Sequence, residues 1–297
     1  MKKLLIFGGS GFFGKSIADY GINKKLIKHK INEIYFVSRS KILKKKKFKH
    51  IKITYIRKSI IDIKVIPEVD YIIYCIKNNN IKISDNYFNC FYKLLKNLTK
   101  KPKILFTSSG AVYGKNKIKK TENTPIDYKK INALTGYKKK YALEKVFIEN
   151  KFKELGKLDF DVSVARCFNF LGEHILNCNQ AVGDMISDGL NKKTITLNTS
   201  DNVYRGYMNA DDLVNWLIVI LKKSNKNCPI FNVGSDKAIN LRLLGKKIAK
   251  IFNKKIKLKK IKKLNIDYYV PSINKAKKIL KLKISINLND SLNSFIK

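Results

Sequence analysis

The sequence predicts an α/β fold: a doubly wound, mainly parallel sheet followed by a smaller C-terminal α/β part. Three observations predict it. Short apolar runs alternate with longer amphipathic ones over the first 170 residues, a glycine cluster separates the first run from the second, and the alternation loosens after residue 170. Strands are expected at Lys3 to Phe7, Glu33 to Val37, Ile51 to Ile56, Tyr71 to Ile76, Lys103 to Thr107 and Val162 to Ala165. Helices are expected at Gly14 to Asn23, Asp85 to Leu98 and Tyr137 to Leu155, the last with Tyr141, Val146, Phe147 and Phe152 near helical spacing. Strands joined through helices require right-handed crossovers, and those make the sheet parallel. Beyond residue 170 the pattern suggests helices near Gln180 to Leu190, Asp211 to Leu221 and Leu241 to Phe252, with strands at Thr194 to Leu197 and Ile230 to Val233.

Composition bounds the function classes. With 297 residues, 44% hydrophobic, 16 Phe and 15 Tyr, the chain can bury a large core, which excludes a disordered protein. A net charge of +41 would by itself suggest a polyanionic partner. Its distribution argues otherwise: lysines lie in nearly every segment, and the densest run, Lys44 to Lys47, falls in an expected loop. Nucleic acid is therefore not the expected partner. Against this lysine background Arg is informative, because Lys substitutes poorly where a flat fork must grip phosphate. The arginines are Arg39, Arg57, Arg166, Arg205 and Arg242. The five cysteines show no CxxC or Cys/His spacing, so neither a disulfide framework nor a metal site is supported. The first apolar run stops at Phe7, before a glycine cluster, and no stretch approaches the ~18 continuous apolar residues of a membrane helix. A soluble, cytoplasmic chain with no membrane partner is the expectation.

The cluster Gly8-Gly9-Ser10-Gly11-Phe12-Phe13-Gly14 sits between the first strand and the first helix. Gly8 permits a tight turn, Gly11 lets the backbone approach a pyrophosphate, and Gly14 lets helix and sheet pack closely, while the helix N-terminus supplies N–H groups and positive potential. A Rossmann-type dinucleotide site is expected there, formed by Gly8, Ser10, Gly11, Phe12, Phe13 and Gly14. At the end of the second strand an acid would hold a ribose 2′-hydroxyl, whereas Arg accommodates a 2′-phosphate. The residues there are Val37-Ser38-Arg39-Ser40, with no acid. NADP(H), held at Ser38 and Arg39, is favoured, with NAD(H) as the alternative.

Hydride transfer at a carbonyl or alcohol needs a proton donor or acceptor beside the oxygen. A tyrosine followed by a lysine one helical turn later provides one, because the ammonium on the same face stabilises the phenolate. Tyr141 and Lys145 have that spacing. So do Tyr20/Lys24, Tyr92/Lys96 and Tyr113/Lys117, and spacing alone does not choose among them.

Motif order narrows the choice. The chain carries the N-terminal glycine turn, Thr107-Ser108-Ser109-Gly110-Ala111-Val112-Tyr113-Gly114, the Tyr141 to Lys145 helix with Glu149, Ala165 to Gly172, Tyr204-Arg205 leading to Asp211-Asp212, Phe231 to Gly234, and Ser272 to Leu280. In that order the sequence resembles the extended short-chain dehydrogenases/reductases, the NAD(P)-dependent epimerase/dehydratase group that modifies nucleotide sugars. The resemblance implies that Ser109 bonds the reacting sugar oxygen and that Tyr141 is the acid/base. It implies that Lys145 tunes Tyr141 and holds the nicotinamide ribose, that Asn169 lies near the substrate phosphates and that Arg205 clamps the sugar-nucleotide diphosphate. Arg166 is expected to be structural. A homodimer is implied too, paired through the helices holding Asp85 to Leu98 and Tyr137 to Leu155.

Departures from the family pattern shape the expected chemistry. The 4,6-dehydratases carry an Asp-Glu pair directly after the catalytic Ser/Thr; Gly110 and Ala111 stand there. A family arginine before the C-terminal motif is also missing, with Lys262 or Lys263 as substitutes. The leading expectation is reduction of a 4-keto-6-deoxyhexose nucleotide by NADPH. The alternative is a 4-epimerase with retained NAD; a non-enzymatic nucleic-acid-binding relative has only the net charge in its favour. The expected division is a cofactor domain over residues 1–170, with a return of 205–233 to it, and a mainly substrate-binding part over 171–297.

Overall fold

The computed structural model of the chain describes residues 1–40, 50–178, 180–199, 202–260 and 266–296. The Lys44 to Lys47 run and Lys262 and Lys263 lie outside the described residues. The first half reads β1 (Lys2–Phe7), α1 (Phe12–Ile22), β2 (Ile31–Val37), β3 (Lys52–Ile56), β4 (Tyr71–Tyr74), α2 (Ile81–Lys96), β5 (Lys103–Ser109), α3 (Tyr128–Asn132) and α4 (Gly136–Lys157). Next come β6 (Val162–Cys167), β7 (Asn169–Leu171), α5 (Ala181–Asn191), β8 (Thr194–Thr199), β9 (Val203–Arg205), β10 (Tyr207–Asn209) and α6 (Ala210–Lys222). The chain continues through β11 (Ile230–Val233), β12 (Ile239–Asn240), α7 (Leu241–Ile251), β13 (Lys255–Lys260), β14 (Asp267–Tyr269), α8 (Asn274–Leu280) and α9 (Leu288–Asn293).

Seven strands form one sheet in the order β11-β6-β5-β4-β1-β2-β3, every pair parallel. The chain starts in the middle, winds outward through β2 and β3, and returns to β4 on the other side. The crevice where ligands bind in such sheets therefore opens at the carboxyl ends of β1 and β4. Alternation along β1 explains the layering. Leu4 and Ile6 join the core under α1 and α6, with Trp216 in it, whereas Leu5 and Phe7 join the aromatic core under α2 and α4, with Phe88, Phe91, Phe106 and Phe152. A strand buried on both faces needs the continuous apolar run that Leu4 to Phe7 provides.

A smaller core joins α5, α7 and β8 through Val182, Met185, Ile186, Ile195, Leu197, Leu244 and Ile248. Its sheet holds an element that periodicity did not suggest: β13 pairs in parallel with β8. In Lys-Ile-Lys-Leu-Lys-Lys the two apolar residues, Ile256 and Leu258, pack on that core, and in sequence the strand resembles one more lysine-rich stretch. Among the described residues no helix is long and apolar enough to cross a membrane.

One buried ion pair ties helix α4 to the sheet. Arg166 on β6 donates through Nη2 to Glu149 Oε2 at 2.8 Å and through Nε to Oε1 at 3.0 Å, and both side chains are only 2–3% exposed. Ser108 on β5 donates to the same carboxylate at 2.6 Å. The remaining Arg166 Nη1 donates to the Tyr113 hydroxyl at 2.9 Å, which donates onward to Asn232 Oδ1 on β11 at 2.9 Å. Removing one partner of such a pair strands an uncompensated buried charge at a cost of about 3–5 kcal/mol. Arg166→Met should lower the urea midpoint accordingly, and Glu149→Leu combined with Arg166→Met should recover part of the loss. A single-variant loss under ~1 kcal/mol would show that the pair does not hold α4 in place.

Candidate active site

The turn after β1 is dictated by backbone approach. Gly8 has φ of +89°, and a methyl there would lie 2.7 Å from the Cys75 carbonyl oxygen at the end of β4. A methyl at Gly14 would lie 2.2 Å from the Gly9 oxygen, so the first turn of α1 touches the loop backbone. Helix α1 is N-capped by Gly11 with no side-chain capping bond and no acid in its first turn, which leaves its positive end to an anion. Ser10 lies in the turn, half-buried. The Phe12 and Phe13 rings pack on Phe170 at 6.2 and 5.9 Å, so these residues offer a ligand their backbone. At the end of β2, Ser38 is buried and accepts from the Ser40 amide at 3.2 Å, while Arg39 is exposed. Close packing behind the turn and an open, positive end before it fit a dinucleotide pyrophosphate.

Two elements deliver the catalytic candidates. β5 ends on Ser109, whose Oγ accepts from the Ala111 amide at 3.2 Å and starts a 3₁₀ turn over Gly110–Tyr113. Helix α4 presents Tyr141 and Lys145 one turn apart, with Lys145 Nζ 5.6 Å from the Tyr141 ring centroid and 4.8 Å from that of Phe106. Burial pushes the Tyr141 phenol well above its ordinary range, and the nearby Ser109 hydroxyl works the other way. Burial also lowers Lys145, opposed by Glu144, whose Oε2 is 3.7 Å from Nζ. Nζ donates to the Ile76 carbonyl at 3.4 Å. The competing tyrosines stand elsewhere: Tyr113 is committed to Arg166 and Asn232, Tyr20 to Asn215, and Tyr92 packs on Phe160.

The phosphate candidates form a second corner. Asn169 opens β7, which pairs in parallel with β10, and its Nδ2 donates to the Gly206 carbonyl at 3.3 Å. That bond brings Asn169 beside the chain that carries Arg205. Arg205 grips the Asp267 carboxylate with two bonds, Nη2 to Oδ2 at 2.9 Å and Nη1 to Oδ1 at 3.1 Å.

Several residues that sequence reasoning passed over lie against the candidates. The Tyr269 hydroxyl is 3.1 Å from Ser109 Oγ. Glu144 is buried against Lys145 and accepts from Ser84 Oγ on α2 at 3.0 Å. Lys77 extends over the stacked Tyr137 and Tyr141 rings, 5.1 and 5.4 Å from their centroids. Phe168 closes the space above Gly110: a methyl there would lie 2.5 Å from its ring. An acidic side chain at position 110 is thus sterically barred unless Phe168 moves. Among the described residues no cluster of His, Cys, Asp and Glu could hold a metal ion.

Comparison with known proteins gives the family through one match and the fold through others. A model of the family described as NAD dependent epimerase/dehydratase matches residues 4–234. UDP-glucuronic acid decarboxylase 3 of Arabidopsis thaliana is 25% identical, over 98% of this chain and 86% of the relative. Among solved structures, the NAD complex of dTDP-glucose 4,6-dehydratase from Bacillus anthracis superposes with a TM-score of 0.78 at 16% identity, covering 100% of this chain and 96% of that one. UDP-N-acetylglucosamine 4-epimerase from Methanobrevibacter ruminantium superposes with a TM-score of 0.74 at 18% identity, covering 99% and 98%. The glycine turn, the seven-stranded parallel sheet and the matched residues together place the chain in the NAD dependent epimerase/dehydratase family.

Proposed function

We propose that this protein reduces the 4-keto group of a nucleotide-diphosphate sugar with NADPH. The observation that carries the reading is the cluster of Ser109, Tyr141 and Lys145 with no carboxylate at positions 110 and 111. Elimination of water needs an acid and a base of its own there, and Phe168 fills the space one would need at 110. The names of the relatives support the substrate class, since a decarboxylase of UDP-glucuronic acid, a dehydratase of dTDP-glucose and an epimerase of UDP-N-acetylglucosamine all take nucleotide sugars.

The nicotinamide would supply the hydride when bound. Ser109 donates to the carbonyl oxygen and polarises it. Tyr141 gives that oxygen its phenolic proton as the alcohol forms, and the Lys145 ammonium stabilises the phenolate left behind. Burial keeps Tyr141 protonated at neutral pH, the form a reduction requires. Asn169 and Arg205 hold the diphosphate, with the Arg205 fork suited to bidentate phosphate contact.

Purified protein given a dTDP- or UDP-linked 4-keto-6-deoxyhexose should consume NADPH, read as loss of absorbance at about 340 nm, the nicotinamide band that the chemistry removes. Tyr141→Phe should still bind NADPH but lose about 10²–10⁴-fold in turnover. No consumption of NADPH, together with interconversion of UDP-glucose and UDP-galactose on retained NAD, would replace the reductase by a 4-epimerase.

Arg39 is the residue we assign to the 2′-phosphate of the cofactor, because β2 ends without an acid. Arg39→Glu should raise the KM for NADPH by about tenfold or more, the loss of a charge-assisted contact, and leave that for NADH little changed. Equal effects on both cofactors would show that Arg39 does not select between them.

A further inference from the structure

Two contacts put protein groups where the ligand of the proposed reaction would place its own. Arg205 holds Asp267 through both Nη atoms and both carboxylate oxygens, the same fork that would grip a phosphate. Nη1 also donates to the Tyr204 and Asp267 carbonyls at 2.8 and 3.1 Å. Some 3.1 Å from Ser109 Oγ stands the Tyr269 hydroxyl, which donates to the Cys167 carbonyl at 3.5 Å. Burial pushes the Tyr269 phenol up to about 12, so at neutral pH it is a neutral alcohol, like the sugar hydroxyl that Ser109 would meet.

Both groups come from the same strand. Asp267 and Tyr269 alternate along β14 and so share one of its faces. β14 pairs in parallel with β9, Tyr269 opposite Arg205, and the guanidinium lies 5.9 Å from the Tyr269 ring centroid. The three-stranded sheet runs β12-β9-β14, so Arg205 sits on the middle strand with Ile239 of β12 opposite it on the other side. The Tyr268 amide also donates to the Asn116 carbonyl at 3.0 Å, so the backbone of β14 is held on both sides and the parts free to turn away are the Asp267 and Tyr269 side chains, while β12 fixes the Arg205 backbone.

We propose that Asp267 and Tyr269 are internal stand-ins for the substrate. The Asp267 carboxylate occupies on Arg205 the place of a phosphate, and the Tyr269 hydroxyl occupies on Ser109 the place of the sugar oxygen. Entry of the ligand displaces the two side chains of edge strand β14 together. This rests on the reading of the ligand as a nucleoside diphosphate sugar. The measured affinity then equals the intrinsic affinity multiplied by the fraction of molecules in which the stand-ins have let go. If Asp267 instead served to hold Arg205 in its working position, its loss would have the opposite sign.

That sign is the test. The purified chain, with NAD and NADP both present, is titrated calorimetrically with UDP, dTDP, UDP-glucose and dTDP-glucose. Asp267→Asn should bind the preferred nucleoside diphosphate at least threefold more tightly than the wild type. In Tyr269→Phe the glucose conjugate should gain at least threefold in affinity relative to the free diphosphate. Should Asp267→Asn fail to fold, Asp267→Ser carries the same measurement. Unchanged or weaker diphosphate binding in the Asp267 variant overturns the stand-in while leaving the substrate class intact. If none of the four compounds binds the wild type or any variant, the nucleotide-sugar reading fails and the stand-in falls with it.

Discussion

The buried pair of Glu149 and Arg166 sets the register on which the candidate site depends. Taking two charges out of water is costly, and the arrangement is tolerable only because the donors and acceptors around it are matched. Glu149 receives Arg166 and Ser108, and Arg166 spends its other nitrogen on Tyr113, which reaches Asn232. Four elements are locked by this one network: α4, β5, β6 and β11. Lys145 and Tyr141 lie one and two helical turns before Glu149 on α4, and Ser109 follows Ser108 on β5. The same carboxylate thus fixes both sides of the candidate cluster.

The other half of the crevice is joined to this frame by short-range contacts. Phe12 stacks on Phe170, the middle residue of β7, and Phe13 meets it edge-on, so the proposed cofactor loop and the strand that starts with Asn169 are packed as one unit. Asn169 in turn binds the backbone beside Arg205. The glycine turn and the chain beside Arg205 are therefore linked through Phe170 and Asn169. The buried Glu144 and Lys145 pair adds a polarity control: burial raises the carboxyl and lowers the ammonium, and each charge offsets the penalty on the other.

Much of this was legible in the sequence where a single residue type is the only solution to a steric or packing demand. The central strands are continuous apolar runs because both faces are covered, and Gly8 and Gly14 are required because any side chain would strike backbone. The scarcity of arginine drew attention to positions expected to grip phosphate. Arg166 and Arg205 both make bidentate contacts, although in each the partner is a carboxylate of the chain itself. Glu149 was visible as part of the helix motif, but its pairing with Arg166 is tertiary. What stayed illegible lies at edges and in short elements. β13 shows two apolar side chains among lysines, α3 is only five residues long, and β14 has three residues whose meaning comes from pairing with β9, about sixty residues earlier. No local pattern singles out Tyr269 from its neighbour Tyr268; only the fold turns its hydroxyl onto Ser109. Phe168, which closes the space above Gly110, sits within a recognised motif, but its steric effect is a property of the folded site.

The claim that this frame performs hydride chemistry at the sugar C4 is tested most directly by following the hydride itself. Nicotinamide cofactor carrying deuterium at its transferable position, incubated with the protein and a nucleotide-linked 4-keto sugar, should place that deuterium on C4 of the product, as read by proton NMR. Deuterium at another sugar carbon, or a product that forms without acquiring any, would contradict the account.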